Sequence, residues 1–190
     1  MGEAEAGEVC EVITGNTPSK DIPEYYGDHL PWVKPDELDR AMYVMDTTER
    51  LSVLGASQAR VLPRSAIMVS CIGNLGKAGI AGCELATNQQ INSLVPGPEV
   101  HSEFLYFWCR TIRSTLEKLA ASTTLKIVNK SIFASIIIPL PELGRQQQIA
   151  LELKNKIAGA EKLKLAIEKE LETIRALPQA ILRKAFSGEL

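Results

Sequence analysis

The sequence predicts an α/β protein: a mixed α/β body over residues 1–140 followed by a long coiled-coil helix over residues 141–190. Three observations predict it. Up to residue 140 the chain is punctuated by Gly and Pro and carries short apolar runs, the pattern of strands joined by turns. One stretch inside that region repeats its apolar residues at helical spacing. Beyond Pro141 the next proline is Pro178, and the apolar residues settle into a heptad.

Along the body, Val61–Leu62 and Ala66–Cys71 read as strands on either side of Pro63, followed by strands at Ala78–Ala81 and Ile91–Val95. Phe104, Trp108, Ile112, Leu116 and Leu119 recur at helical spacing, which predicts one helix with Ser102 placed to cap it. Ser135–Pro139 contains Ile136, Ile137 and Ile138, a β-branched run that reads as a buried strand.

The second region has only Gly144 and Gly159 among good helix formers between Pro141 and Leu177. Ile149, Leu153 and Ile157 form one apolar row. Ala160, Ile167, Ile174 and Ile181 then fall seven residues apart, with Leu163, Leu171 and Ala185 between them and Glu and Lys on the flanks. Pro178 should kink this helix or restart it. From Gln146 to Leu177 the helix would span about 48 Å. One narrow seam of that length calls for a partner helix, which predicts pairing with a second subunit. The other arrangement open to it is an amphipathic helix folded onto its own domain.

Composition excludes several classes. With 190 residues, 45% hydrophobic and 23% charged, the chain is neither collagen-like nor low-complexity. No apolar run approaches a membrane span, and Met1–Val9 lacks the basic and apolar regions of a signal peptide, so a cytoplasmic chain without membrane attachment is expected. Cys10, Cys71, Cys83 and Cys109 are scattered, and the histidines are His29 and His101, so neither a zinc site nor a disulfide framework is expected. Charge is uneven along the chain. Met1–Asp39 holds ten acids and two bases, whereas Arg40–Lys130 holds ten bases and six acids. A pI of 5.8 argues against indiscriminate nucleic-acid binding but leaves room for a local basic face.

Catalytic motifs fail on inspection. Gly73-Asn74-Leu75-Gly76-Lys77 resembles part of a phosphate-binding loop, but the glycine such a loop needs is replaced by Cys71 and no Ser or Thr follows Lys77. A tight turn between two strands is the better reading. Pro35-Asp36 and Glu152-Leu153-Lys154 imitate pieces of a metal-dependent nuclease, with 116 residues between the carboxylates and Glu152 on the predicted coiled coil. Neither a methyl-transfer cofactor loop nor a Ser/His/Asp or Cys/His set stands out. No catalytic residue, cofactor or metal is therefore expected. Binding chemistry remains. Thr17, Ser19, Lys20, Lys34, Arg60, Arg64, Asn74, Lys77, Thr123, Thr124, Lys126, Asn129 and Lys130 sit in or beside predicted turns. Such side chains hold phosphates and read base edges, and the same types also populate ordinary solvated loops. Asn88-Gln89-Gln90 can either read bases or fix the entry to the Ile91 strand by hydrogen bonds.

Several segments, in order, carry a resemblance. Gly7-Glu8-Val9-Cys10 is followed by Thr14-Gly15-Asn16-Thr17-Pro18-Ser19, then by Tyr25-Tyr26-Gly27 and Leu30-Pro31-Trp32-Val33. The Gly73–Lys77 turn and Thr87-Asn88-Gln89-Gln90-Ile91-Asn92 come next. Ile138-Pro139-Leu140-Pro141, Gln146-Gln147 and the stretch from Ile181 to Ala185-Phe186-Ser187-Gly188-Glu189-Leu190 complete the set. Together they resemble the specificity subunits of type I restriction–modification systems over nearly the whole chain.

That resemblance implies a non-enzymatic subunit that binds double-stranded DNA and directs methyltransferase and endonuclease subunits to a target. Family members carry two recognition domains, each followed by a helical spacer. One domain and one spacer here imply a half-subunit, acting as a homodimer with Ile149, Leu153, Ile157, Ile167, Leu171, Ile174 and Ile181 at the spacer interface. A symmetric pair should read an interrupted palindrome. A competing expectation is a truncated fragment that binds the partner subunits as a decoy. Two departures from the family pattern stand out: Arg145 replaces a glutamate common before the glutamine pair, and Met1-Gly2-Glu3-Ala4-Glu5-Ala6 replaces an aromatic-rich lead-in.

Overall fold

The computed structural model describes residues 2–120 and 126–188, so Thr123 and Thr124 lie outside the described residues. The chain divides into two compact units, Met1–Ala150 and Leu151–Leu190.

The first unit opens with β1 (Gly2–Glu5), α1 (Ala6–Val9), β2 (Cys10–Thr14) and β3 (Tyr26–Val33). Short elements follow: β4 (Tyr43–Val44), β5 (Arg50–Leu51), α2 (Val53–Ser57) and β6 (Val61–Leu62). Then come β7 (Ile67–Ser70), β8 (Ala78–Ala81), β9 (Leu85–Thr87) and β10 (Ile91–Pro96). The unit closes with α3 (Ser102–Cys109), α4 (Arg113–Leu119), α5 (Lys130–Ala134), β11 (Ile137–Leu140) and the first turns of α6 (Leu143–Ser187).

Among the described residues the strands form a five-stranded sheet in the order β2-β10-β7-β8-β4, a four-stranded sheet β5-β3-β9-β6, and the pair β1-β11. In the five-stranded sheet β10 lies antiparallel to both β2 and β7, with Leu94 opposite Val12 and Ile67. The two faces of this sheet explain its sequence. Ile67, Val69, Ala78, Ile80 and Leu94 pack with Leu105, Cys109, Ile112 and Leu116 of the helical layer. The alternate residues Ala66, Met68, Ala81 and Ile91 pack with Val33, Leu62 and Leu85 beneath the second sheet. β7 and β8 are thus buried on both sides, which is why, up to Ser70 at the end of β7, they read as runs of small-to-medium apolar residues.

Three local expectations are corrected. The single helix through Phe104 and Leu119 is two helices, α3 and α4. Both the N–H (2.8 Å) and the hydroxyl (2.7 Å) of Thr111 donate to the Trp108 carbonyl, which in an unbroken helix would accept from Ile112. Leu119 ends exposed, and Trp108 only half-buried. The N-cap is His101 rather than Ser102, and its N–H is held at 2.8 Å by Gln146 Oε1. β11 is half-covered rather than buried: Ile138 faces the core, while Ile137 is 49% exposed on the outer face. It pairs with β1, so the acidic lead-in forms a strand, with Glu5 opposite Ile137 and Glu3 opposite Pro139. The glycine-rich segment is indeed the β7–β8 turn. Gly73 and Gly76 have positive φ, and a Cβ on Gly76 would meet Arg113 Cβ at 2.9 Å.

The second unit is the remainder of α6. From Asn155 to Gly188 every residue is exposed, including Ile157, Ile167, Leu171, Ile174 and Ile181, each at least 43% exposed. Ile149 and Leu153 are half-buried. The helix does not restart at Pro178 but runs through it. Losing one backbone donor in a ladder of this length leaves the turns on either side intact.

Candidate nucleic-acid interface

The loop leaving β2 is built around Gly15 and Asn16. Gly15 donates to the Ile91 carbonyl at 3.1 Å, and a Cβ on it would come within 2.2 Å of Thr87 Oγ1. No side chain fits there. Asn16 uses every polar group it has. Its N–H donates to the Thr87 carbonyl (2.9 Å) and its carbonyl accepts from the Trp32 indole (3.2 Å). Its side chain donates to the Gln58 carbonyl (2.8 Å) and accepts from the Arg60 N–H (2.9 Å). Strands β3 and β9 and the α2–β6 loop are pinned at one residue.

This frame sorts the expected binding residues. Thr17 donates its hydroxyl to Gln89 Oε1. The neighbours of Gln89 are occupied elsewhere: Asn88 Nδ2 donates to Gln90 Oε1 at 2.8 Å, and Asn88 Oδ1 accepts from the Gln90 N–H at 3.1 Å. Asn88 and Gln90 therefore fix the strand entry, and Gln89 is the exposed member of the triplet. Arg60 donates to the Thr14 carbonyl at 2.8 Å and shares a cleft of about 430 Å³ with Lys130, Glu11 and Thr14. The walls of that cleft are braced by a relay in which Thr14 Oγ1 donates to Asn92 Oδ1 (2.6 Å) and Asn92 Nδ2 to the Val128 carbonyl (3.1 Å). Lys20 lines a smaller cleft with Tyr26 and Glu49.

Other expected residues are engaged in structure. Lys34 pairs with Glu49 and lies 5.1 Å from the centre of the Trp32 ring. Lys77 pairs with Asp36 at 3.6 Å, which accounts for the acid of the nuclease-like fragment. Asn74 accepts from Arg113, and Asn129 caps α5 by accepting from the Ile132 N–H at 2.9 Å. Lys126 contributes its carbonyl to Gly73 at 3.0 Å, leaving its side chain exposed. Arg64 and Ser19 are exposed. Among the described residues, Lys20, Arg60, Arg64, Lys126 and Lys130 have no acidic side chain in ion-pair contact. The structure brings Arg60 and Lys130 together, and ties Thr17 to the strand-entry turn. Asn16 and Gln146 were not singled out as functional positions, although both lie in the segments that carry the family resemblance.

Nucleophilic chemistry finds no support in the thiols. Burial pushes Cys10 up to about 11 and Cys71 up to about 12, and raises Cys109 well above the usual thiol range. Among the described residues no group of three His, Cys, Asp or Glu side chains could hold a metal ion, and no helix is long and apolar enough to cross a membrane.

Residues 2–173, covering the first unit and much of α6, match the model of the type I restriction modification DNA specificity domain. The chain belongs to this family. Within the specificity-domain family it is 31% identical over 185 residues to the type I restriction enzyme HindI specificity subunit of Haemophilus influenzae, covering 95% of this chain and 39% of that protein. It is 29% identical over 152 residues to the MjaIX specificity subunit of Methanocaldococcus jannaschii, covering 77% of this chain and 35% of that one. The HsdS subunit from Thermoanaerobacter tengcongensis superposes on the whole chain with a TM-score of 0.73 and 25% identity, over 45% of its own length. A structure described as underlying complex assembly and conformational transition of the type I R-M system gives 0.81 at 24% identity, over 46% of that chain, and shares the fold. The chain thus spans less than half the length of each of these relatives.

Proposed function

We propose that this specificity domain reads double-stranded DNA as a half-subunit, two copies of which pair through their α6 helices. The pair directs separate methyltransferase and endonuclease subunits to an interrupted target. Residues 1–140 form the target-recognition domain and residues 141–190 the spacer. The observation that carries this reading is the family match over residues 2–173, the first unit and much of α6. The exposed heptad seam supports pairing, because an apolar row at Ile167, Leu171, Ile174 and Ile181 gains by burial against its own image. In this reading the Arg60–Lys130 cleft and the exposed Lys20, Arg64 and Lys126 contact phosphates, and Thr17, Ser19 and Gln89 contact base edges; the exposure of Lys20, Arg64, Lys126, Ser19 and Gln89 supports it. Two-fold pairing imposes a two-fold target and converts a weak half-site into a useful one through effective concentration.

Co-purification with a methyltransferase subunit, followed by mapping of methylated sites, tests it. The expected result is methylation at one interrupted palindrome. The chain alone, given Mg²⁺ or S-adenosylmethionine, should neither cleave nor methylate DNA. Partner binding without any salt-dependent DNA binding would instead establish a decoy.

A further inference from the structure

Arg60 and Lys130 reach their shared cleft from separate stretches of chain, and Thr14 on its wall is tied to both stretches. The Thr14 carbonyl accepts from Arg60 Nη1 at 2.8 Å. The Thr14 hydroxyl donates to Asn92 Oδ1 at 2.6 Å, and Asn92 Nδ2 donates at 3.1 Å to the carbonyl of Val128, two residues ahead of Lys130. Asn92 is 3% exposed, so breaking this relay leaves a buried amide unpaired. Asn129, between Val128 and Lys130, caps α5 and fixes the same stretch again. Behind Arg60, the Asn16 side chain holds the Gln58 carbonyl and the Arg60 N–H. Both cations thus stand on anchored backbone, and neither has an ion-pair partner among the described residues.

We infer that Arg60 and Lys130 close on a single backbone phosphate of the DNA, and that Thr14 is the positioning residue that sets the gap between them, a placement that rests on the DNA reading proposed above. Two like charges held in one cleft repel, and an anion seated between them relieves the repulsion. With Nη1 spent on Thr14, Nε and Nη2 of Arg60 remain to donate to one phosphate, and the Lys130 ammonium adds a point charge. Because both cations are anchored through one residue, they converge on one anion instead of following two. The phosphate is gripped between them, so losing either cation loses the contact. Glu11, the acid of the cleft, lies at its other end, three residues along β2 from Thr14 or about 10 Å. It pairs with neither cation, and its repulsion confines the phosphate to the Thr14 end.

Binding of the full chain to a duplex carrying the target mapped by methylation, titrated over a salt series, tests the clamp. Arg60→Gln, which keeps a donor for the Thr14 carbonyl, and Lys130→Gln should each weaken binding about fivefold and lower the slope of log K against log salt by about 1. The double variant should lose little more, because both changes remove one contact. Thr14→Val keeps the carbonyl and loses the hydroxyl. It should lower the slope in the wild-type background, have little effect beside Lys130→Gln, and be rescued by Thr14→Ser. A smaller folded fraction would weaken binding in every background and leave the slope alone, which separates positioning from plain destabilisation. A neutral methylphosphonate, moved along the duplex one phosphate at a time, should reproduce both cation losses at one position. Slope losses that add in the double variant, different sensitive phosphates for the two cations, or salt-dependent binding indifferent to both overturn the clamp and leave the DNA reading standing. A Thr14→Val loss undiminished beside Lys130→Gln overturns the role of Thr14, and if Thr14→Val does not fold, the two-cation cycle still decides the clamp. A chain without any salt-dependent DNA binding overturns the reading and the clamp together.

Discussion

Gln146 is fully buried and makes three hydrogen bonds: Nε2 donates to the carbonyls of Glu99 (2.9 Å) and Pro141 (2.8 Å), and Oε1 accepts from the His101 N–H (2.8 Å). It fastens the first turn of α6 to the turn before α3. Gln146→Leu strands all three backbone groups and should cost about 2–4 kcal/mol, seen as a lower midpoint in urea unfolding. Gln147, next in sequence, is exposed and should tolerate the same change. The cysteines permit a second check. With Cys10, Cys71 and Cys109 buried and their thiols pushed up, a thiol reagent at pH 8 should label Cys83 alone in the native chain, and all four thiols once it is unfolded. Equal labelling of all four without denaturant would contradict the packing of the sheet against α3.

Single elements differ in how far their sequences disclose them. β7 and β8 were readable because both faces are buried, so Ser70 at the end of β7 is the one polar side chain in either strand. The break between α3 and α4 was not. The apolar spacing continues across it, and what ends α3 is a pair of donors from Thr111 competing for one carbonyl. The long helix was the plainest element, since heptad spacing over many turns has no strand equivalent. Its seam carries a prediction at this scale: Ile167→Asp with Ile174→Asp should leave the helical content nearly unchanged and dissociate the proposed dimer in ultracentrifugation. Both side chains are more than half exposed within one chain, so any loss reports on a second one.

For the molecule as a whole, the modest net charge of −2 conceals cations that have no ion-pair partner among the described residues, of which Arg60 and Lys130 come from distant parts of the sequence to line one cleft. Lys130→Ala and Lys20→Ala should each weaken DNA binding uniformly across sequences and lower the slope of log K against log salt by about 1. An unchanged slope would remove those residues from the interface. Arg60→Ala should act differently, because its guanidinium also holds the Thr14 carbonyl, and stability should fall along with affinity. The sequence by itself determined the α/β class, the helix with its seam and the family, because these depend on periodicity and ordered local segments. Only the tertiary structure decided that Arg60 and Lys130 line one cleft, that Asn88 and Gln90 are bonded to each other, and that Asn16 ties β3, β9 and the α2–β6 loop together. Those outcomes depend on strand order and on hydrogen bonds between residues far apart in the chain, and local pattern carries no record of which distant partner a polar side chain will find.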